Sequence, residues 1–131
     1  MTHERRKLMT GRGLLMAVDA SISDLSGVSL LETNLLGIIS MVDKDICRDL
    51  YRTLCEHRSG IVVICIDRLM LFDAVAAKVV LMLARRAMVN FNVLHMVVGT
   101  GAVRERALQI GFDHIASVHN SYDGFLARKS G

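Results

Sequence analysis

The clearest hydrophobic pattern lies in the middle of the chain, where a continuous apolar run is followed by a helical one. The run Ile61–Ile66 is rich in β-branched residues and predicts a strand that is buried on both faces. Asp67–Phe72 is a short connection, and Asp73 then stands where its carboxylate can cap the first turn of a helix. Helical spacing gives this helix an inward face made of Ala76, Val79, Val80, Leu83 and Ala87.

The remaining apolar segments alternate between strand and helix patterns. We expect two strands, Val28–Glu32 and Leu35–Met41, with a hairpin turn at Thr33-Asn34. The elements that follow are a helix from Asp43 or Asp45 to about His57, the central unit, a strand Val93–Val98, a helix Ala102–Ile110 ended by a left-handed Gly111, a strand Ile115–Val118 and a helix Tyr122–Arg128. This order predicts an α/β domain with a mostly parallel sheet of about five strands and about four helices.

The basic character of the chain is confined to its first residues. The 131 residues carry a net charge of +3, and residues 1–13, with four basic side chains against Glu4, contain all of it. Residues 1–27 are therefore predicted to be a basic, flexible leader, with a docking arm as the alternative, and residues 28–131 to form the domain. Because the rest of the chain is electrically balanced, we expect no nucleic-acid partner.

The cysteine and histidine spacings fit no known zinc pattern, so we predict no metal and no cofactor. The odd number of cysteines, three, is typical of reduced thiols in a cytoplasmic protein. No apolar run reaches the length of a membrane span. Gly99, Thr100 and Gly101 lie between a strand and a helix and form a weak phosphate-loop signal, against the alternative of a plain turn.

Several groups of residues follow one another in an order found in a known family. They are Ser40-Met41-Val42-Asp43, the strand Ile61–Asp67, Phe72-Asp73 with Ala74-Val75-Ala76, and the closing residues Val103-Arg104, Gly111-Phe112, Ser121-Tyr122 and Phe125-Leu126-Ala127. On these residues, from Val28 to Ala127, the chain resembles the STAS domain family, the fold of sulfate-transporter domains and anti-sigma factor antagonists.

The resemblance implies a switch position that this chain has altered. In the antagonist branch, a partner kinase that is also the anti-sigma factor phosphorylates the second serine of an Asp-Ser-Ser-Gly loop. Asp73 keeps the family residue, while Ala74, Val75 and Ala76 stand for the first serine, the phosphoacceptor and the glycine. No serine or threonine occurs between Ser59 and Thr100, so this loop has no hydroxyl to receive phosphate.

We therefore expect a non-catalytic domain that binds an anti-sigma factor or serine-kinase partner and is not switched at the usual site. The loop is more apolar than a solvated loop should be, which is typical of a partner surface. The predicted contact residues are Leu69, Met70, Phe72, Asp73, Ala74, Val75, Lys78 and Met82. The alternatives are a scaffold domain that binds other STAS chains, and a small-ligand or nucleotide-binding domain that uses Gly99–Gly101.

Overall fold

Six strands form one sheet whose spatial order follows the order of the chain. The computed structural model describes residues 4–40 and 43–130, except for the side chains of residues 129 and 130. The strands are β1 Arg5–Arg12, β2 Met16–Leu25, β3 Val28–Gly37, β4 Ile61–Leu69, β5 Val93–Val97 and β6 Ser117–His119. The helices are α1 Lys44–Cys55, α2 Ala74–Val89, α3 Ala102–Ile110 and α4 Tyr122–Ser130, with a short 3₁₀ helix at Phe112–His114.

The sheet is mostly parallel, as the sequence predicted. β3, β4, β5 and β6 pair in parallel and are connected in turn by α1, α2 and α3, whereas β2 is antiparallel to both of its neighbours. The α/β class is confirmed, with six strands in the place of about five. The four predicted helices are present, and their ends differ from the prediction by at most two residues.

The central strand β4 is buried on both faces because the two sides of the sheet are covered differently. Val62, Ile64 and Ile66 point into the main core, which also receives α1, α2 and α3. The alternate residues of β4 pack on the other face in a smaller core beneath Phe125 of α4. Because both faces of β4 are buried, its residues Ile61–Ile66 form a continuous run of apolar residues.

The prediction of a flexible leader over residues 1–27 is wrong for its described part. Residues 5–25 form β1 and β2, and Met16, Val18 and Ala20 are buried in the main core. Ser26 and Gly27 join β2 to β3 with φ angles of 54° and 85°, the two positive values that a tight hairpin turn requires. The domain therefore begins with β1 and not with Val28.

A polar cluster on the sheet face beside α4 holds β1 in place. Arg5 lies 3.1 Å from the buried carboxylate of Glu32 and packs over the Tyr122 ring, 5.6 Å from its centroid. Asn34 donates to Glu32 at 2.7 Å and to Asp19 at 3.0 Å. Burial and the Glu32 carboxylate raise the pKa of the Tyr122 phenol. Charged residues that look like a solvated tail in the sequence thus fix an edge strand.

The predicted hairpin at Thr33-Asn34 is also wrong, because β3 runs unbroken through both residues. Thr33 is fully buried, and its hydroxyl donates to the carbonyl of Val63 at 3.2 Å, which satisfies a polar group inside the sheet. Two smaller differences concern β4, which continues to Leu69, and the last strand, which is shifted from Ile115–Val118 to Ser117–His119. Met41, at the end of the predicted second strand, lies outside the described residues.

At the amino ends of β4 and β5, a buried polar cluster closes the end of α1. Asn90 Nδ2 lies 3.0–3.2 Å from the carbonyls of Leu54, Cys55 and His57. The Oδ1 of Asn92 accepts the N–H of Gly60, and its amide nitrogen donates to two carbonyls. These bonds fix the orientation of the amide, so the Oδ1 also accepts from His57 Nδ1 at 2.9 Å. His57 Nε2 is then the acceptor for the Ser29 hydroxyl at 3.1 Å. Burial lowers the pKa of His57, although hydrogen bonds to the Asn92 side chain and to the backbone of Ser29 oppose the shift.

Candidate partner-binding surface

The amino end of α2 is fixed by its cap, as predicted. Asp73 is extended, with φ −85° and ψ −171°, and its Oδ1 accepts the N–H of Ala76 at 3.0 Å. This is the N-cap geometry that satisfies a free donor of the first turn. Ala74 is exposed and Val75 is half-buried directly after the cap, so the position that the resemblance assigns to the phosphoacceptor is accessible at the surface.

The end of β4 and the loop that follows it have two buried and two exposed apolar side chains. Met70 and Leu71 are 79% and 49% exposed, whereas Leu69 and Phe72 are only 5% and 6% exposed. Phe72 packs against Phe112 at a centroid distance of 6.1 Å. Leu69 and Phe72 were both predicted as contact residues, but their burial makes them anchors that hold the loop against the core.

A second exposed apolar pair lies on the hairpin that joins β1 to β2, across the end of β3 from this loop. Leu14 is 90% exposed and Leu15 is 50% exposed. The carbonyl of Leu15 accepts the N–H of Ile38 at 2.9 Å, and the carbonyl of Gly37 accepts the N–H of Met70 at 2.8 Å. The hairpin and the loop therefore flank the same two residues at the end of β3. We call the four side chains Leu14, Leu15, Met70 and Leu71 the apolar edge.

Gly37 permits this close approach because it has no side chain. Its φ is +83°, and a Cβ at this position would overlap the carbonyl oxygen of Leu15. Another residue would meet both a strained backbone conformation and a steric clash. Of the apolar edge, only Met70 was among the predicted contact residues, and Leu14 and Leu15 were assigned to the leader. In the sequence, the two adjacent leucines that follow Gly13 were the feature that could have predicted an exposed apolar hairpin tip.

A stripe on α2 continues from the apolar edge along the helix. Val75, Lys78 and Met82 recur at helical spacing and are half-buried or exposed. Lys78 and Met82 also line a groove of about 420 Å³ between α1 and α2, together with Tyr51, Leu81, Arg85, Arg86 and Val89. The predicted contact residues that remain accessible therefore lie on one continuous side of the domain.

The loop Gly99–Gly101 has the geometry of an open strand-to-helix turn. Gly99 has a φ of +77° and lies against Asp67, and Thr100 and Gly101 are exposed. Within the described part of the chain, no atom approaches within 4 Å of the place that a Cβ on Gly101 would take. A phosphate cradle needs convergent groups around the ligand, and this turn offers few of them.

The cysteines are free thiols, and two of them are buried. Burial raises the pKa values of Cys47 and Cys65, and nearby carboxylates act in the same direction. Such thiols are poor nucleophiles and poor metal ligands. Across residues 4–40 and 43–130, no group of three histidine, cysteine or acidic side chains is placed to hold a metal ion.

The parallel sheet, the capped helix after β4 and the helix order together define a STAS-like α/β domain. It shares this fold with an anti-sigma factor antagonist from Mycobacterium paratuberculosis, at 16% sequence identity and a TM-score of 0.66, over 87% of this chain and 95% of that one. It also shares the fold with an anti-sigma-factor antagonist (STAS) domain protein from Planctomyces limnophilus, at 9% identity and a TM-score of 0.60, over 86% and 98% of the two chains.

Sequence comparison adds nothing to this structural likeness. No protein-family model matches the chain, and no curated protein matches it. In the described residues, no helix has the length and apolar character needed to cross a membrane.

Proposed function

We propose that this domain is an anti-sigma factor antagonist that works by binding and not by catalysis. Its partner is an anti-sigma factor, and its contact surface is the apolar edge together with the stripe Val75, Lys78 and Met82. The observation that carries the proposal is the apolar edge itself, which stands directly beside the capped start of α2. The choice of partner is supported by the two structural neighbours, which are both anti-sigma factor antagonists.

The physical case for a protein partner rests on exposed apolar area. Four large apolar side chains, each about half exposed or more, lie on two neighbouring turns. Groups of exposed apolar side chains on one edge of a monomer typically mark interaction sites. The centre of an interface is depleted of charge, whereas its rim is polar. Lys78 and Asp73 beside the apolar edge suit such a rim.

We further propose that this binding is constitutive with respect to the usual phosphorylation. Val75 occupies the position that corresponds to the phosphoacceptor and has no hydroxyl. A phosphate adds nearly two negative charges, which are expensive to desolvate in an apolar contact. Valine leaves the surface apolar, so the domain keeps the chemistry of the unmodified, binding-competent form.

The decisive experiment measures affinity for purified anti-sigma factors from the organism that encodes the chain. Met70→Ser and Leu14→Ser should each weaken binding about tenfold, because they remove apolar area from the centre of the contact. Phe91→Ser is the matched control, because Phe91 is 80% exposed at the opposite end of the strands. No binding by the parent chain, or an equal loss in the control, would show that the surface or the partner class is wrong.

A scaffold function is the second candidate, and one observation favours it. Met88, Val89, Phe91 and Val93 form a second set of exposed apolar side chains around the turn between α2 and β5. A domain with apolar surfaces at both ends can bind two neighbours in an assembly. Other STAS chains that associate with the parent protein and are released by Phe91→Ser would favour this function over the first.

A further inference from the structure

The groove between α3 and α4 brings two arginine side chains to one space. It encloses about 500 Å³ beside β6, and its walls include Arg104 of α3 and Arg128 of α4. No aspartate or glutamate lines it. Two guanidinium groups that face one space without a carboxylate repel each other unless an anion lies between them.

The two arginines have no ion-pair partner among the described residues. Three other arginines do have such partners: Arg5 pairs with Glu32 at 3.1 Å, and Arg48 and Arg52 pair with acidic residues on their own helix. Arg104 is half-buried and Arg128 is exposed, so both side chains are open to a ligand. A ligand with at least one negative charge would supply the counter-ion that both arginines lack within the described part of the chain.

Polar groups at the base of the groove are held in fixed positions. His119 is 5% exposed, and its Nε2 lies 3.0 Å from Nδ1 of His95. Phe125 packs against both rings, with centroid distances of 5.0 Å and 5.4 Å. The Ser121 hydroxyl accepts the N–H of Gly124 at 3.0 Å, which leaves its own proton to donate to a ligand.

We propose that this groove binds a small organic phosphate. The planar guanidinium groups of Arg104 and Arg128 match phosphate oxygens, and a dianion satisfies both charges at once. Leu108 and Val118 line the same groove and supply an apolar wall for the organic part of the ligand. This site is separate from the apolar edge and from Gly99–Gly101, so the proposal does not depend on the proposed partner.

The test is a titration of the full chain, followed through its backbone amide NMR signals, with inorganic phosphate, phenyl phosphate and benzoate. We expect saturable shifts centred on Ser121 and Gly124. Phenyl phosphate should bind more tightly than inorganic phosphate because of the apolar wall, and more tightly than benzoate because of its second charge. Arg104→Gln and Arg128→Gln should each weaken binding about tenfold, the usual effect of removing a hydrogen bond to a charged group.

Arg106→Gln is the matched control, because Arg106 is exposed on α3 but does not line the groove. It should leave the affinity for phenyl phosphate unchanged. An equal loss of affinity in Arg106→Gln would mean that phosphate binds through the overall charge of the protein, and it would overturn the proposal. So would the absence of saturable shifts, shifts centred away from Ser121 and Gly124, or benzoate binding as tightly as phenyl phosphate. If Arg104→Gln lowers the melting temperature of the protein, the affinity of Arg128→Gln decides the test, because Arg128 is exposed.

Discussion

At the scale of single residues, Val75 is the side chain on which the proposed regulation depends. It is the second residue of α2, is half-buried and does not join either hydrophobic core. Val75→Glu should therefore change the free energy of unfolding by less than about 0.5 kcal/mol, since an acidic residue is well tolerated in a first helical turn. The same charge in a desolvated interface should weaken partner binding about tenfold or more.

This prediction is checked by measuring the melting temperature and the partner affinity on the same preparation. Gln109→Glu is the control, because it adds the same charge on an exposed face of α3. An unfolded Val75→Glu variant would show that the valine supports the core. A folded variant that binds as tightly as the parent chain would show that the partner contacts another surface.

His57 gives a prediction about pH. Because burial lowers its pKa, the folded protein favours the neutral ring, whereas the unfolded chain takes up a proton near the ordinary value of 6.5. The stability that depends on the neutral ring is complete above pH 6.5 and is lost as the pH falls toward the lowered value. Urea unfolding above and below pH 6.5 should show a larger loss for the parent chain than for His57→Gln.

The matched control for this measurement is His114→Gln, which removes an exposed histidine. It should leave the pH dependence of the parent chain nearly unchanged. If His114→Gln flattens the pH dependence as much as His57→Gln does, the acid sensitivity does not come from the cluster of His57, Asn90 and Asn92.

At the scale of elements, the sequence predicted those strands and helices whose apolar residues form unbroken or periodic runs. β4, α2 and β5 belong to this group because each is buried on a full face or on both faces. β1 and β2 were not predicted because they carry many charged and polar residues, and partners such as Glu32 for Arg5 and Asn34 for Asp19 lie on other strands. Arg5 and Glu32 are 27 residues apart, and local patterns hold no information about such a pair.

The ion pair of β1 leads to a prediction about stability. Arg5→Ala leaves the buried carboxylate of Glu32 without its cation and should cost about 1 kcal/mol, a value kept low because Arg5 is half exposed. Arg6→Ala is the control, because Arg6 is an exposed neighbour on the same strand and should cost less than about 0.5 kcal/mol. Equal unfolding midpoints in urea for the two variants would contradict a fixed β1.

At the scale of the whole molecule, the candidate site joins a part that the sequence predicts to a part that it does not. The loop after β4 and the start of α2 follow from one local run of residues. The hairpin with Leu14 and Leu15 joins them only because the sheet places the end of β3 between the two segments. The burial of Leu69 and Phe72 likewise depends on the packed core, since an apolar loop sequence alone does not separate anchors from contacts.

The last prediction concerns regulation of the assembled complex. Because residues 60–99 contain no serine, threonine or tyrosine, incubation with ATP and an anti-sigma factor that has serine-kinase activity should leave this segment without phosphate. The affinity of the complex should therefore be the same before and after incubation, provided that the kinase is active on a control substrate. The measurement combines phosphopeptide mapping with a binding titration.

Val75→Ser is the informative variant, because it restores a hydroxyl directly after the capped start of α2. It should make binding sensitive to ATP if the kinase recognises the rest of the surface. Phosphate on Asp73 or on any other residue of the segment in the parent chain would contradict constitutive binding, and so would an affinity that falls after incubation without any modification there.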